Sequence, residues 1–376
     1  MKQTVLLKLA PPPEQHAALL RTLETFNAAC NVIAEVAFAQ HSANKIELQK
    51  QVYYDIRARF GLSSQMTVRA IAKVAEAYKR DKKIKPAFRS HGAMAYDERI
   101  CNFPTPDRVS LLTLEGRVEI PFRFGMYAEG MMQRRRGQCD LLYRKRTNTF
   151  FLGATIDAPE PTPDEPNDYV GVDLGVIMLA ATSDGEFLNC SSGPEHAHIN
   201  HVRGRYSRFQ AKLQKNGSKS PKRLLRKRSG RERRFATVVN HCLSKALVRT
   251  AQGTGRGIAL EDLKGIRERI NTQRTVNKRH RRVLHGWSFG QLRSFIAYKA
   301  ALAGVKVALV NPAYTSQTCS RCGHCEKANR KSQAKFLCVR CGYACHADLN
   351  ASENIRRAAV IPADAAAFGL AASSRL

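Results

Sequence analysis

Asp173 stands in an apolar stretch, Tyr169 to Leu174, with glycines at 171 and 175 on either side. A carboxylate on a buried strand is costly without a partner, which favours a metal ion or an arginine beside it. The flanking glycines leave nothing bulky to crowd it. Glu261 ends a second apolar run, Gly257 to Glu261, and Asp348 stands at the start of a helical segment from about Ala347 to Arg357. Any one of these acids alone reads as a cap or an ion-pair partner. Three on separate elements are what two hard divalent cations need, because each cation takes several carboxylate oxygens together with water and phosphate. A second chemistry is written in Cys319-x-x-Cys322 and Cys338-x-x-Cys341, separated by 15 residues. This is the four-thiolate spacing of a zinc ribbon, and Gly323 and Gly342 follow each pair where a left-handed turn residue is wanted. Four thiolates leave no open position on the metal, so its role is structural. Cys325, Cys345 and His346 lie nearby and are expected not to bind it.

Those residues need elements to hold them. The second half opens with the strand at 169–174 and a hairpin across Ser183-Asp184-Gly185. A helix marked by Val239, Leu243 and Leu247, the strand 257–261, a helix through Leu292 and Ile296 and a strand at 305–310 follow. With the cysteine insert and the last helix, that order fits an α/β domain with a mixed sheet. The first half reads differently. Residues 1 to 10 alternate as one strand, and apolar residues then recur every three or four positions over 14–80, predicting three or four helices with Ser63 or Ser64 capping the last. From about 85 to 157 the period is two, with strands at 109–114, 118–122, 139–144 and 150–156. A lone first strand lacks a partner, so it is expected to join this sheet in a small barrel, with the helices inserted between. Pro159, Pro161, Pro163 and Pro166 mark a linker, and the residues after Ala358 read as a loose tail.

Charge narrows the partner. The 376 residues include 62 Lys or Arg against 31 Asp or Glu, a net charge of +31. That excess implies a polyanion, nucleic acid before an anionic membrane, since no run of about 18 apolar residues exists to span a bilayer. The apolar stretch Thr4 to Ala10 is interrupted by Lys8 and too short for a signal-peptide core. Eleven cysteines, an odd number with six between 319 and 345, are not a secreted disulfide framework, so a cytoplasmic, nucleoid-associated protein is expected. Residues 201–235 hold fourteen bases and one acid, and 264–285 hold eight bases and one acid. Arg203, Arg205, Arg208, Lys222, Arg223, Arg226, Arg279, Arg281 and Arg282 are accordingly the candidate nucleic-acid contacts. Trp287 and Phe289 follow the second run and are expected to pack in a core rather than stack on a base.

Four segments, in this order, carry a family resemblance: GVDLG at 171–175, LEDL at 260–263, PAYTSQTCSRCG at 312–323 and CVRCGYACHADLNASENI at 338–355. The chain resembles TnpB, the OrfB-type protein of bacterial insertion sequences and a relative of type V CRISPR effectors. The resemblance covers nearly all of 168–356; over 1–160 it rests on the order of elements. It implies an RNase H-like (RuvC) nuclease domain at 168–318 and 344–358 with an inserted zinc ribbon at 319–343. Before it would come a wedge-type β-barrel at 1–10 and 81–160, interrupted by a helical recognition bundle at 11–80, then a linker at 161–167; a flexible tail would occupy 359–376. Asp173, Glu261 and Asp348 would be the catalytic acids holding two Mg²⁺, and Cys319, Cys322, Cys338 and Cys341 would hold one Zn²⁺. Family members often carry Arg directly before the third acid; this chain has Ala347.

The activity implied is RNA-guided cleavage of double-stranded DNA beside a short flanking motif, with a guide RNA from the protein's own element, one RNA per monomer and no membrane. Tyr53, Ser64, Gln65 and Arg69 have side chains suited to reading base edges and are candidates for the flanking motif. Other readings are a minimal type V CRISPR effector, separated only by the source of its RNA, a DNA-binding repressor, and a transposase or its accessory protein. The repressor would need a broken acidic set, and all three acids are present.

Overall fold

The computed structural model describes residues 1–125, 130–131, 135–175, 178–188, 196–216, 218–263 and 288–360, with only the backbone at 135–137 and 196–200. The basic stretch 264–285, with Arg279, Arg281 and Arg282, lies outside the described residues, as do Trp287 and residues 361–376. The chain forms two units, Met1–Pro159 and Glu160–Leu376.

In the first unit, β1 (Lys2–Leu9) precedes α1 (Pro13–Ala39), α2 (Lys45–Phe60) and α3 (Ser64–Arg80). Pro13 opens α1, where a missing N–H costs nothing. Asn44 caps α2 and a left-handed Gly61 closes it. Ser63 rather than Ser64 caps α3, its hydroxyl accepting the Met66 N–H. Six strands follow: β2 (Met94–Tyr96), β3 (Cys101–Thr105), β4 (Arg108–Thr113), β5 (Gly116–Arg123), β6 (Arg135–Arg144) and β7 (Thr149–Asp157). They form a seven-stranded antiparallel sheet in the order β2-β6-β7-β1-β5-β4-β3. The first strand therefore finds its partners on both sides, β7 and β5, as its isolation in sequence required. The Tyr96 hydroxyl donates to the Leu112 carbonyl at 3.0 Å, drawing β2 towards β4 and curling the sheet. Val5, Leu7 and Leu9 of β1 alternate inward. They share one core with Leu23, Phe26 and Ile33 of α1 and Ile71 and Val74 of α3, so helices and sheet bury the same apolar surface.

The second unit carries β8 (Tyr169–Asp173), β9 (Ala180–Thr182) and β10 (Phe187–Leu188), then α4 (His196–Lys215), α5 (Lys219–Arg228) and α6 (Arg231–Gly253). β11 (Gly257–Glu261), α7 (Phe289–Ala303), β12 (Val307–Val310), the short ribbon strands β13 (Lys335–Leu337) and β14 (Ala344–His346), and α8 (Ala347–Val360) complete it. The last helix thus runs to Val360, past the expected start of the tail at 359. The sheet order is β10-β9-β8-β11-β12, with β8, β11 and β12 parallel and the hairpin antiparallel. Strand parity sorts its two faces. Val170, Val172, Ile258 and Leu260 pack with Leu243 and Leu247 of α6 and Leu292 and Ile296 of α7. Tyr169 and Ala259, on the opposite face, pack with Ile355 of α8. Among the described residues, no helix is long and apolar enough to cross a membrane.

Candidate functional site

The same parity that sends Val172 and Leu260 under α6 and α7 sends Asp173 and Glu261 to the α8 face. Both acids are the last residues of parallel neighbours, β8 and β11, whose register pairs Val172 with Leu260. The carboxyl ends of parallel strands are where open α/β sheets bind ligands. Asp348 enters from the first turn of α8. What brings it close is Gly171: a Cβ there would lie 2.0 Å from the Ser352 carbonyl oxygen and 2.6 Å from the Arg356 nitrogen, so α8 rests directly on the strand backbone. Arg356 anchors the far end of α8, donating to Asp168 at 2.7 Å. Asn354 on the same helix donates to the carbonyls of Thr315 and Thr318, at 2.8 and 2.7 Å, and fixes the loop after β12.

The three acids line one polar cavity of about 270 Å³ together with Thr315, Arg330 and Gln333. Burial, and then the charges of Glu261 and Asp348, push the Asp173 carboxyl up to about 7, against the pull of Arg330. Burial raises Glu261 as well, although the Thr315 hydroxyl donates to it at 2.5 Å. Asp348 is also raised by burial, against His346 and Arg330, whose guanidinium stands 3.6 Å away. Three half-buried carboxylates, each raised by burial and Asp173 also by the other two, beside one arginine are short of positive charge. Hard oxygen donors around a space large enough for several waters fit divalent cations of the Mg²⁺ type.

The thiolates meet a stricter test. The Sγ atoms of Cys319, Cys322, Cys338 and Cys341 all lie within 4.8 Å of one another. Cys319 and Cys341 are 3.7 Å apart and Cys322 and Cys338 3.6 Å. A tetrahedron with Zn–S of about 2.3 Å has edges of about 3.8 Å, so the donors already fit a zinc ion. Gly323 and Gly342 have φ of +74° and +69°, and their N–H groups return to the Cys319 and Cys338 carbonyls at 2.9 and 3.0 Å, which makes the two knuckles copies of each other. Cys325 and Cys345 lie outside this group.

The basic candidates among the described residues fall on helices that the charge run had not shown. Arg205 and Arg208 on α4 and Lys222, Arg223 and Arg226 on α5 are exposed. Arg203 is half-buried and sits 3.7 Å from Glu232, an internal tie of the helices. Tyr206, Phe209, Arg205 and Arg228 border a groove between α4 and α5, where the Arg228 guanidinium covers the Phe209 ring at 4.2 Å. Phe289 packs against the core beneath α7, as expected. In the first unit, Ser64 is exposed and Tyr53 is half-buried against the core. Gln65 bonds Asp97, and Arg69 bonds Gln138, so both already spend donors within the fold.

Arg330, Thr315 and Gln333 were missed as site residues. Thr315 lies inside one of the quoted motifs, but no spacing rule singles out Arg330 or Gln333, which the folded ribbon carries to the acids.

A family model described as "Cas12f1-like, TNB domain" matches residues 289–355. The chain is 32% identical over 231 residues to the CRISPR-associated endodeoxyribonuclease Cas12f1 of Sulfoacidibacillus thermotolerans, covering 57% of this chain and 51% of that protein. It is 36% identical over 160 residues to a TnpB-like protein of Methanocaldococcus jannaschii, covering 42% and 56%. With the putative RNA-guided DNA endonuclease InsQ of Escherichia coli it shares 31% over 221 residues, covering 55% and 53%. The chain spans about half the length of these relatives. Among solved structures, a Cas12f1-sgRNA-target DNA complex matches with a TM-score of 0.61 at 13% identity, over 90% of this chain and 82% of that one. The mini-RNA-guided endonuclease CRISPR-Cas_phi3 matches at 0.55 and 11% identity, over 96% and 92%. These two likenesses are of fold. Motifs, cysteine centre, sequence matches and fold agree, and the chain is a relative of the TnpB-like proteins and of type V CRISPR effectors.

Proposed function

We propose that the chain is the RNA-guided DNA endonuclease of a transposable element, with a RuvC-like, RNase H-type domain in its second unit. The observation that carries this is the meeting of Asp173, Glu261 and Asp348, from β8, β11 and α8, on one polar cavity. The names of the relatives support guidance by RNA, and the exposed bases of α4 and α5 support a polyanionic partner. Asp173, Glu261 and Asp348 would hold two Mg²⁺, which when bound supply charge neutralisation and a water nucleophile at neutral pH.

The chain's own residues supply orientation. The Thr315 hydroxyl fixes the Glu261 carboxylate. Arg330 presents a guanidinium to a phosphate oxygen entering the cavity, the planar donor best suited to that contact. Hydrolysis there breaks the bond to the 3′ oxygen and leaves a 5′-phosphate. Zn²⁺ on the four thiolates would hold the loop that carries Arg330. The basic helices would grip phosphates while guide pairing supplies sequence. The curled sheet of the first unit would serve as the wedge and α1–α3 as the recognition bundle, with Tyr53 and Ser64 the freer candidates for flanking-motif readout. A minimal type V effector would use the same chemistry, and the Cas12f1 relatives favour keeping that second reading.

The test is to purify the protein from cells carrying its native locus and sequence the RNA it retains. One structured RNA from the element's end is expected, with a 3′ segment that directs Mg²⁺-dependent cutting of matching DNA. Asp173→Ala should slow that cutting by at least about a thousandfold while RNA stays bound; normal cutting by the variant removes the acid assignment. A repeat-array transcript would move the protein to the CRISPR class.

A further inference from the structure

Tyr314 has a backbone conformation that its side chain resists. Its φ is +64°, where the Cβ of an L-residue crowds the carbonyl oxygen. The turn is held from outside: the Tyr314 carbonyl accepts the Gln317 N–H at 2.9 Å, the Thr318 N–H at 3.0 Å and the Thr318 hydroxyl at 2.9 Å. Glycine would make the same turn without crowding. The side chain lies mostly at the surface, the residue being 67% exposed. Backbone strain of this kind gathers at sites of function.

Its neighbours say which function. Pro312 and Thr315, on either side, both line the acid cavity, and Thr315 holds Glu261. Tyr314 is one Cα step, about 3.8 Å, from that threonine. Its loop is pinned to α8 through Asn354. An exposed aromatic ring on a rigid turn, next to a polar cavity that takes phosphate, suits the flat face of a nucleobase. Stacking tolerates any base, which is what a nuclease that takes its sequence choice from a guide requires.

We propose that Tyr314 is a stacking platform for a nucleobase of the strand being cut, set beside the acid cavity by its strained turn. This rests on the nuclease reading and adds a binding contact to it. The rigid turn means that little freedom is lost when the base lands.

The experiment compares full-length, RNA-bound wild type with Tyr314→Gly and Tyr314→Phe. Glycine removes ring and crowding together, so its melting temperature should equal or exceed that of wild type. Its KM for target DNA should rise roughly tenfold, with kcat within about twofold, while phenylalanine restores the wild-type KM. In Mg²⁺-free buffer, 2-aminopurine at successive target-strand positions should be quenched by wild type and Tyr314→Phe at one position and not by Tyr314→Gly. Unchanged KM and quenching in the glycine variant overturn the proposal, as does a lowered melting temperature, which would make the ring a part of the fold. Ring-dependent quenching by a wild type that cuts nothing would sink the nuclease reading and leave the stacking site standing.

Discussion

Asp173 holds its proton up to about pH 7 because burial and two neighbouring acids disfavour its charge. A carboxyl whose folded pKa lies above its ordinary 3.8 supports the fold fully below that value and withdraws the support as pH rises through 7. Metal-free protein should therefore lose stability across that window, and Mg²⁺ should raise the melting temperature more at about pH 8 than at about pH 6. Thermal melts at both values decide it; equal gains would mean that Asp173 is not a ligand. For the same reason, more Mg²⁺ should be needed for half-maximal cutting as pH falls below 7. Asp173 and Glu261 were legible because carboxylates are rare inside apolar strands, and Asp348, at a helix start, only as the third member of the set. The role of Gly171 was not: the missing side chain that had read as space for Asp173 is space for α8, and only the fold brings that helix there. Arg330 was hidden for a related reason, since its closeness to Asp348 crosses from one loop to another element.

Among the elements, α8 does two things at once, presenting Asp348 and resting its backbone on β8. Gly171→Ala sets a methyl against backbone atoms that cannot swing aside. We expect destabilisation of about 1–3 kcal/mol or more and a loss of cutting, because Asp348 moves with the helix. Chemical denaturation and cleavage rates check it; wild-type behaviour in both would mean that α8 has room to spare. The ribbon should bind one zinc per chain by metal analysis, and Cys338→Ser should lose it. Cutting should fall with the zinc although no acid is touched, because Arg330 and Gln333 sit between the knuckles; full activity without zinc would uncouple ribbon from site. Most elements could be read from apolar period. β2 is three residues long and β3 contains Pro104 and a register shift, so neither shows a clean alternation. α5 was invisible because KSPKRLLRKR has two apolar side chains apart from its proline, Leu224 and Leu225, and a charge run carries no period.

Over the whole molecule, the charge of +31 predicts that affinity for RNA and DNA falls linearly on a log–log plot against salt. Replacing Lys222, Arg223 and Arg226 by alanine should flatten that slope by up to about 3 without altering which DNA is chosen. Filter binding across a salt series measures it, and an unchanged slope would place those side chains away from phosphate. The strand order of the first unit has a different consequence, for synthesis. β1 is translated before anything it pairs with: its neighbours are Arg123 and Phe122 on one side and the run from Phe151 to Asp157 on the other. At roughly 5–20 residues per second, the first of these leaves the ribosome on the order of ten seconds later. Both edges of the future central strand stay open meanwhile, a surface on which other chains can pair. A message broken before codon 149 therefore yields a sheet missing the neighbour of its middle strand, a product for chaperones and proteases rather than a half-working protein.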